Sequence, residues 1–154
     1  DTLMVQNERV SSTRIRKALL DNNFDEAEKL LGRPYIVSGK VVHGQHLGRT
    51  IDVPTANIWL PKQKLPVNGV FAVECMLKNQ KIFGIANMGV RPTIGGSLPV
   101  LEVHLFDFNK NIYSERLDIK FLKKIRNEKK FDNLDMLKSQ IQKDISKAKE
   151  IIYK

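Results

Sequence analysis

The strongest constraint on the fold is a change of hydrophobic period at Tyr35. Upstream, Ile15, Ala18 and Leu19 share one helical face, and Phe24, Ala27, Leu30 and Leu31 share another, with Asn22-Asn23 between them. Ser11, Ser12 and Thr13 offer capping hydroxyls to the first helix, and Gly32 and Pro34 stop the second in the order expected of a helix end. From Tyr35 the period is 2, and segments 35–43, 54–60, 69–78, 81–88, 100–107 and 116–125 read as strands divided by Gly, Pro and Asn. Six strands with no helical pattern between them predict an antiparallel sheet closed into a small barrel. The helical period then returns in a stripe of Leu134, Leu137, Ile141, Ile145, Ala148 and Ile152, with Asp132 or Asn133 as N-cap and Lys147, Lys149 and Lys154 at the C-terminal dipole end. The expected fold is mainly β: a six-stranded antiparallel β-barrel with a short N-terminal helical lead-in and a C-terminal α-helix. Residues 1–10 show no period and are expected to be a frayed lead-in. Because the chain starts at Asp1 rather than Met, a fragment or a processed chain is expected.

Composition narrows the function classes. With 42% hydrophobic and 28% charged residues among 154, the chain can bury a core, and wholesale disorder is not expected. No apolar run approaches the roughly 20 residues that span a bilayer, and no basic-then-apolar leader opens the chain, so no membrane partner is expected. One cysteine, Cys75, gives neither an internal disulfide nor a multi-cysteine zinc site, and a reducing, cytoplasmic location fits best. A formal net charge of +9 suits an anionic partner. Residues 120–154 hold eleven Lys and Arg against five Asp and Glu, hence +6 of that total. A solvated helix face accounts for such a run as readily as a binding surface does.

Three places can carry chemistry. The stretch Gly39-Lys-Val-Val-His-Gly44-Gln-His-Leu-Gly48-Arg49 spaces three glycines so that backbone N–H groups can approach an anion, with Arg49 adding a fork of donors. It is neither a Walker A loop nor a dinucleotide fingerprint, and a glycine-containing hairpin explains it too. In Pro54-Thr55-Ala56-Asn57, Thr55 and Asn57 leave an extended chain on the same face. Their two hard oxygens can share a Mg²⁺, or can simply satisfy turn backbone. In Val100-Leu-Glu-Val-His-Leu-Phe106, alternation puts Leu101, Val103 and Leu105 on one face and Glu102, His104 and Phe106 on the other. Glu102 is then either a solvated strand glutamate or a carboxylate able to accept a proton from an attacking hydroxyl. The run His43-Gly44-Gln45-His46 does not match the nucleotidyltransferase His-x-Gly-His, and no third ligand makes it a metal site.

Taken in order, Gly39 to Asn57, Asn87-Met-Gly-Val-Arg-Pro-Thr-Ile94, Leu101-Glu-Val-His104 and Arg126-Asn-Glu-Lys-Lys-Phe131 resemble successive motifs of riboflavin kinases. The resemblance covers roughly residues 35–150. Val10-Ser-Ser-Thr-Arg-Ile-Arg16 followed by Leu31-Gly-Arg-Pro-Tyr35 is similar to the join in bacterial proteins that fuse riboflavin kinase to an upstream FMN adenylyltransferase. The resemblance implies residues 1–34 as a helical remnant or linker from that module and 35–154 as the kinase barrel with its helix. It implies ATP-dependent phosphorylation of riboflavin at the ribityl 5′-hydroxyl, giving FMN and ADP but no FAD, with Mg²⁺ or another hard divalent metal. Carried over by position, Glu102 would be the catalytic base and Thr55 and Asn57 the metal pair. Gly39, Gly44, Gly48, Arg49, Leu105 and Tyr113 would bind ATP. Arg126, Lys129 and Phe131 would close over the flavin, while Asn87, Gly89, Arg91 and Thr93 belong to the bacterial motif without a fixed role. The sequence departs from relatives with lysine at the position of Arg49, and its loop from Gly95 to Pro99 is short.

Two other readings compete. A small basic barrel could bind single-stranded nucleic acid as OB folds do, but aromatics are only 7% and cluster on no one strand, so no nucleic-acid partner is expected. A flavin-binding module without catalysis would bind riboflavin and leave ATP intact; the metal pair together with Glu102 argues against it.

Overall fold

The structure is a computed structural model, and it describes residues 3–5, 8–10, 12–42, 55–60 and 66–154. Strands β1 (Leu3–Val5) and β2 (Glu8–Val10) form an antiparallel two-stranded ladder, where the sequence predicts no regular element. Three-residue strands are too short to show a period of 2. Helices α1 (Ser12–Leu20) and α2 (Phe24–Leu31) follow. The Asn22-Asn23 break divides its labour: Asn22 adopts a left-handed φ of 58° to turn the chain, and Asn23 caps α2 by accepting the Glu26 N–H at 3.1 Å. Gly32, at φ 75°, ends α2 in the left-handed conformation.

Six strands then close a barrel: β3 (Ile36–Val42), β4 (Ala56–Ile58), β5 (Gly69–Leu77), β6 (Gln80–Thr93), β7 (Gly96–Leu105) and β8 (Arg116–Arg126). Around the barrel the order is β3-β4-β7-β6-β5-β8, with β8 returning to β3 and every neighbour antiparallel. Among the described residues, closure gives every barrel strand a neighbour on both sides. The six predicted barrel strands are all present, with the largest differences in length at β6 and β7. β6 and β7 run on to a two-residue turn at Ile94-Gly95, with Thr93 opposite Gly96. Pro92 and the glycines of that stretch read as breakers in the sequence, yet they sit at the far end of a long hairpin.

Alternation decides what each strand buries. Phe71, Val73 and Cys75 of β5, Leu101 and Val103 of β7 and Leu117 and Ile119 of β8 fill the interior and are buried almost completely. Burial pushes the Cys75 thiol up to about 12, with the Glu74 carboxylate adding to the effect, so Cys75 behaves as an apolar residue. The α1–α2 hairpin belongs to the same core. Ala18, Leu19, Ala27 and Leu30 are buried in it, and Phe24 stacks on Phe121 at 5.8 Å and meets Phe71 edge-on at 5.8 Å.

The C-terminal helix α3 (Leu134–Ile152) is capped by Asn133, which accepts the Met136 N–H at 2.9 Å. It packs on the outside of the barrel. Ala148, Ile141, Ile145 and Ile152 cover Ala72, Ile85 and Phe106 in a second, separate core. Each large aliphatic side chain so covered contributes about 1.5–3 kcal/mol when fully buried. Leu134, expected in the stripe, is 43% exposed because α3 begins beyond the rim of the sheet contact.

Candidate active site

One lateral row of the barrel gathers the chemistry. Asn57 of β4 is opposite Glu102 of β7, which is opposite Asn87 of β6; Asn87 is opposite Val70 of β5, which is opposite Arg126 of β8. Laterally paired residues project from the same face, so five strands aim this row at one side of the sheet. It is the outer face, because the alternating partners Leu101 and Val103 fill the interior. Thr55, two residues before Asn57, shares that face by the same alternation.

Where the row meets the start of α3, a cavity of about 240 Å³ opens. Thr55, Asn87, Glu102, His104 and Arg126 line it together with Lys129 and Phe131 from the segment joining β8 to α3. Val70, Ile85 and Ala86 form its apolar floor, and Leu137, Ile141 and Asp144 of α3 its far wall. Its volume lies just below the roughly 300 Å³ at which ordinary small-molecule sites begin, and seven polar side chains converge there with six apolar residues, a strongly polar lining that suits a ligand rich in hydrogen-bonding groups.

The cationic side of the cavity is built from two directions. Arg126 donates from Nε and Nη2 to the Asp144 carboxylate at 2.9 Å each, and from Nη1 to the Asn127 carbonyl at 3.0 Å. Its guanidinium lies 5.7 Å from the Phe131 ring centre, and the Lys129 ammonium lies 5.8 Å from the same ring. One aromatic ring thus lies within cation–π range of two cations. Asp144 is 2% exposed and also accepts from Gln140 Nε2 at 3.0 Å. Sequence reading missed it. The available signal was its place at the centre of the apolar spacing Leu137, Ile141, Asp144, Ala148, where a carboxylate needs a partner.

Glu128, between those two cations in sequence, rests against Gly89 of β6, where a Cβ would collide with its carboxylate. Partial burial there raises its carboxyl above the ordinary range, and the nearby Arg126 charge pulls it back only in part.

The remaining expected site residues fall in different places. Gly44, Gly48 and Arg49 lie outside the described residues. Gly39 sits within β3 opposite Leu117, and a Cβ on it would come within 2.6 Å of the Trp59 carbonyl oxygen, so a close strand approach demands glycine there. Leu105 is buried in the barrel interior, which leaves only its main chain to meet a ligand. Tyr113 is 47% exposed in the loop between β7 and β8, held by its N–H to Asn111 Oδ1 at 3.0 Å, and is not in the cavity wall. Arg91 and Thr93 continue β6 four and six residues past Asn87.

Thr55, Asn57 and Glu102 supply a hydroxyl, an amide and a carboxylate oxygen on adjoining positions, a donor set that suits a hard divalent cation. Among the described residues no group of three or more His, Cys, Asp and Glu offers a softer site.

The riboflavin kinase (flavokinase) family model matches residues 31–152. The chain belongs to this family. Bifunctional riboflavin kinase/FMN adenylyltransferases are among its relatives. That of Haemophilus influenzae is 54% identical over 92% of this chain and 46% of its own length, and that of Escherichia coli K12 is 50% identical over the same shares. The chain therefore spans about half the length of the curated relatives it matches. Among solved structures, a macrolide-efflux protein from Streptococcus pneumoniae superposes with a TM-score of 0.80 and 42% identity over 93% of this chain and 47% of its own. Riboflavin kinase from Trypanosoma brucei superposes with a TM-score of 0.58 and 25% identity over 79% of this chain and 81% of its own.

Proposed function

We propose that this chain phosphorylates riboflavin, transferring the γ-phosphoryl group of ATP to the ribityl 5′-hydroxyl to give FMN and ADP. The observation that carries this reading is the lateral row that sets Glu102 between Asn57 and Asn87, with Glu102 and Asn87 lining a cavity that Arg126, Lys129 and Phe131 line as well. Glu102 orients the hydroxyl and accepts its proton. The hydroxyl oxygen forms a bond to the γ-phosphorus while the bond from that phosphorus to the β,γ-bridging oxygen breaks, and its electron pair leaves with ADP. Thr55 and Asn57 would hold Mg²⁺ or another hard divalent cation, which would offset negative charge on the triphosphate. The planar flavin enters over the apolar floor, with Phe131 and its two cations closing beside it. Positioning and charge, more than proton abstraction, supply the acceleration in such transfers.

We further propose that in a longer chain residues 1–34 join this barrel to an upstream FMN adenylyltransferase, in keeping with relatives named as bifunctional, and that the present chain alone makes FMN and no FAD. A cytoplasmic location belongs to the same reading. Among the described residues, no helix is long and apolar enough to cross a membrane. The nucleic-acid reading finds little support: among the described residues the exposed aromatics Trp59, Tyr113 and Tyr153 lie just after β4, in the β7–β8 loop and just after α3, and form no stacking platform.

The test is product analysis after mixing the protein with riboflavin and ATP, with and without Mg²⁺. FMN and ADP formed only with metal are expected. Riboflavin binding without any FMN would replace the kinase with a flavin-binding module.

A further inference from the structure

The side-on edge of the Arg126 guanidinium is wholly committed to Asp144. Nε and Nη2 each donate to that carboxylate at 2.9 Å, while Nη1 donates to the Asn127 carbonyl at 3.0 Å. A guanidinium carries five N–H groups, so one on each terminal nitrogen remains. Asp144 is 2% exposed and the Arg126 side chain 19% exposed, so the pair sits in a setting where its geometry is tightly held. Gln140, one turn earlier on α3, donates to Asp144 Oδ1 at 3.0 Å and fixes the carboxylate in turn. The ring of Phe131 closes over the guanidinium at 5.7 Å. Both Arg126 and Asp144 line the cavity, but the carboxylate spends its acceptors on Arg126 and Gln140.

From this we infer that Asp144 is a positioning residue: it occupies the Nε edge of Arg126 and thereby presents the two terminal nitrogens to acceptor oxygens or nitrogens of the flavin bound in the cavity. The inference rests on the riboflavin reading above. It goes beyond that reading by assigning flavin affinity to a residue of α3 that touches no substrate. A lone buried arginine would rotate to find whatever acceptor it could, whereas a bidentate carboxylate leaves it a single orientation. The chain of Gln140, Asp144 and Arg126 makes α3 part of the site.

The experiment is equilibrium titration of riboflavin, followed by quenching of its fluorescence, with the parent chain and with Asp144→Asn, Arg126→Met, Arg126→Lys and the Asp144→Asn/Arg126→Met double variant. Thermal unfolding checks each fold, and KM for ATP is measured beside KM for riboflavin. Asp144→Asn should weaken riboflavin binding by about tenfold or more, the usual scale for losing a hydrogen bond to a charged group, and leave KM for ATP within about twofold. In the Arg126→Met background it should add nothing, since its effect passes through Arg126. Arg126→Lys, which keeps the charge and loses the fork, should bind as poorly as Arg126→Met. Should Asp144→Asn fail to fold, Gln140→Leu decides: removing one hydrogen bond to the carboxylate should weaken riboflavin selectively, and no change would overturn the inference. Equal losses for ATP and riboflavin, or full additivity with Arg126→Met, would also overturn it and leave Asp144 a merely structural residue. If the parent itself binds no riboflavin, the kinase reading and this inference fall together. If the parent binds and turns over while every variant matches it, only this inference falls.

Discussion

Glu102 on β7 stands directly opposite Asn57 on β4 and, on its other side, directly opposite Asn87 on β6, so that three strands hold one carboxylate between two carboxamides. Laterally paired Cα atoms in antiparallel sheets lie about 4.5–5.5 Å apart, close enough for the side chains to act on one ligand. Register holds this arrangement. A slip of one residue would send Glu102 into the interior that Leu101 and Val103 now fill, so the packing of the barrel core itself enforces the site.

Replacing Glu102 by Gln keeps the shape and removes the proposed proton acceptor. Turnover should fall by about 10² or more with the unfolding temperature close to that of the parent. FMN production at near-parent rates would take Glu102 out of the mechanism.

Asn57→Ala removes one hard oxygen from the proposed metal position. The Mg²⁺ concentration for half-maximal rate, titrated at fixed ATP, should rise about tenfold or more. An unchanged Mg²⁺ profile with a lowered rate would assign Asn57 to substrate contact instead.

Two glycine substitutions should differ in severity because of what they meet. A Cβ on Gly39 comes within 2.6 Å of the Trp59 carbonyl oxygen, a backbone atom that cannot yield without shifting β4. Gly39→Ala should cost about 1–3 kcal/mol by denaturant titration, as overpacking does. The atoms nearest a Cβ on Gly89 all belong to the end of the flexible Glu128 side chain, which can swing into solvent. Gly89→Ala should cost less than about 0.5 kcal/mol. Equal losses at the two positions would contradict the contacts described.

Glu128 has its carboxyl raised on folding, first by burial and only partly offset by Arg126. The folded protein thus holds the proton more tightly than the unfolded chain, so this group stabilises below the ordinary glutamate pKa and loses that contribution as pH rises through the raised value. Glu128→Gln should match the parent in acid, below about pH 4, and become the more stable of the two towards neutrality. Urea titrations at several pH values read this directly, and a difference that widened in acid instead would reverse the assignment.

Much of the architecture was legible in order. The switch of period at Tyr35 located all six barrel strands, and the apolar stripe from Leu137 to Ile152 with Asn133 ahead of it located α3 and its cap. Elements too short or too irregular for a period were lost. β1 and β2 have three residues each, and the outer ends of β6 and β7 carry Pro92, Gly95, Gly96 and Pro99, whose local chemistry favours a turn. Hairpin pairing overrode that preference, placing the turn at Ile94-Gly95 alone.

The sequence by itself determined which side chains share a face. Alternation along one strand is a local property of the backbone, so Thr55 and Asn57, or Glu102 apart from Leu101 and Val103, could be sorted without knowing any partner. Only the tertiary structure decided that Asn57, Glu102, Asn87 and Arg126, spread over 70 positions of the chain, stand in one lateral row, and that Asp144 of α3 grips the last of them. Barrel closure and helix docking set those distances through the packing of two cores, and no run of neighbouring residues encodes such a long-range register.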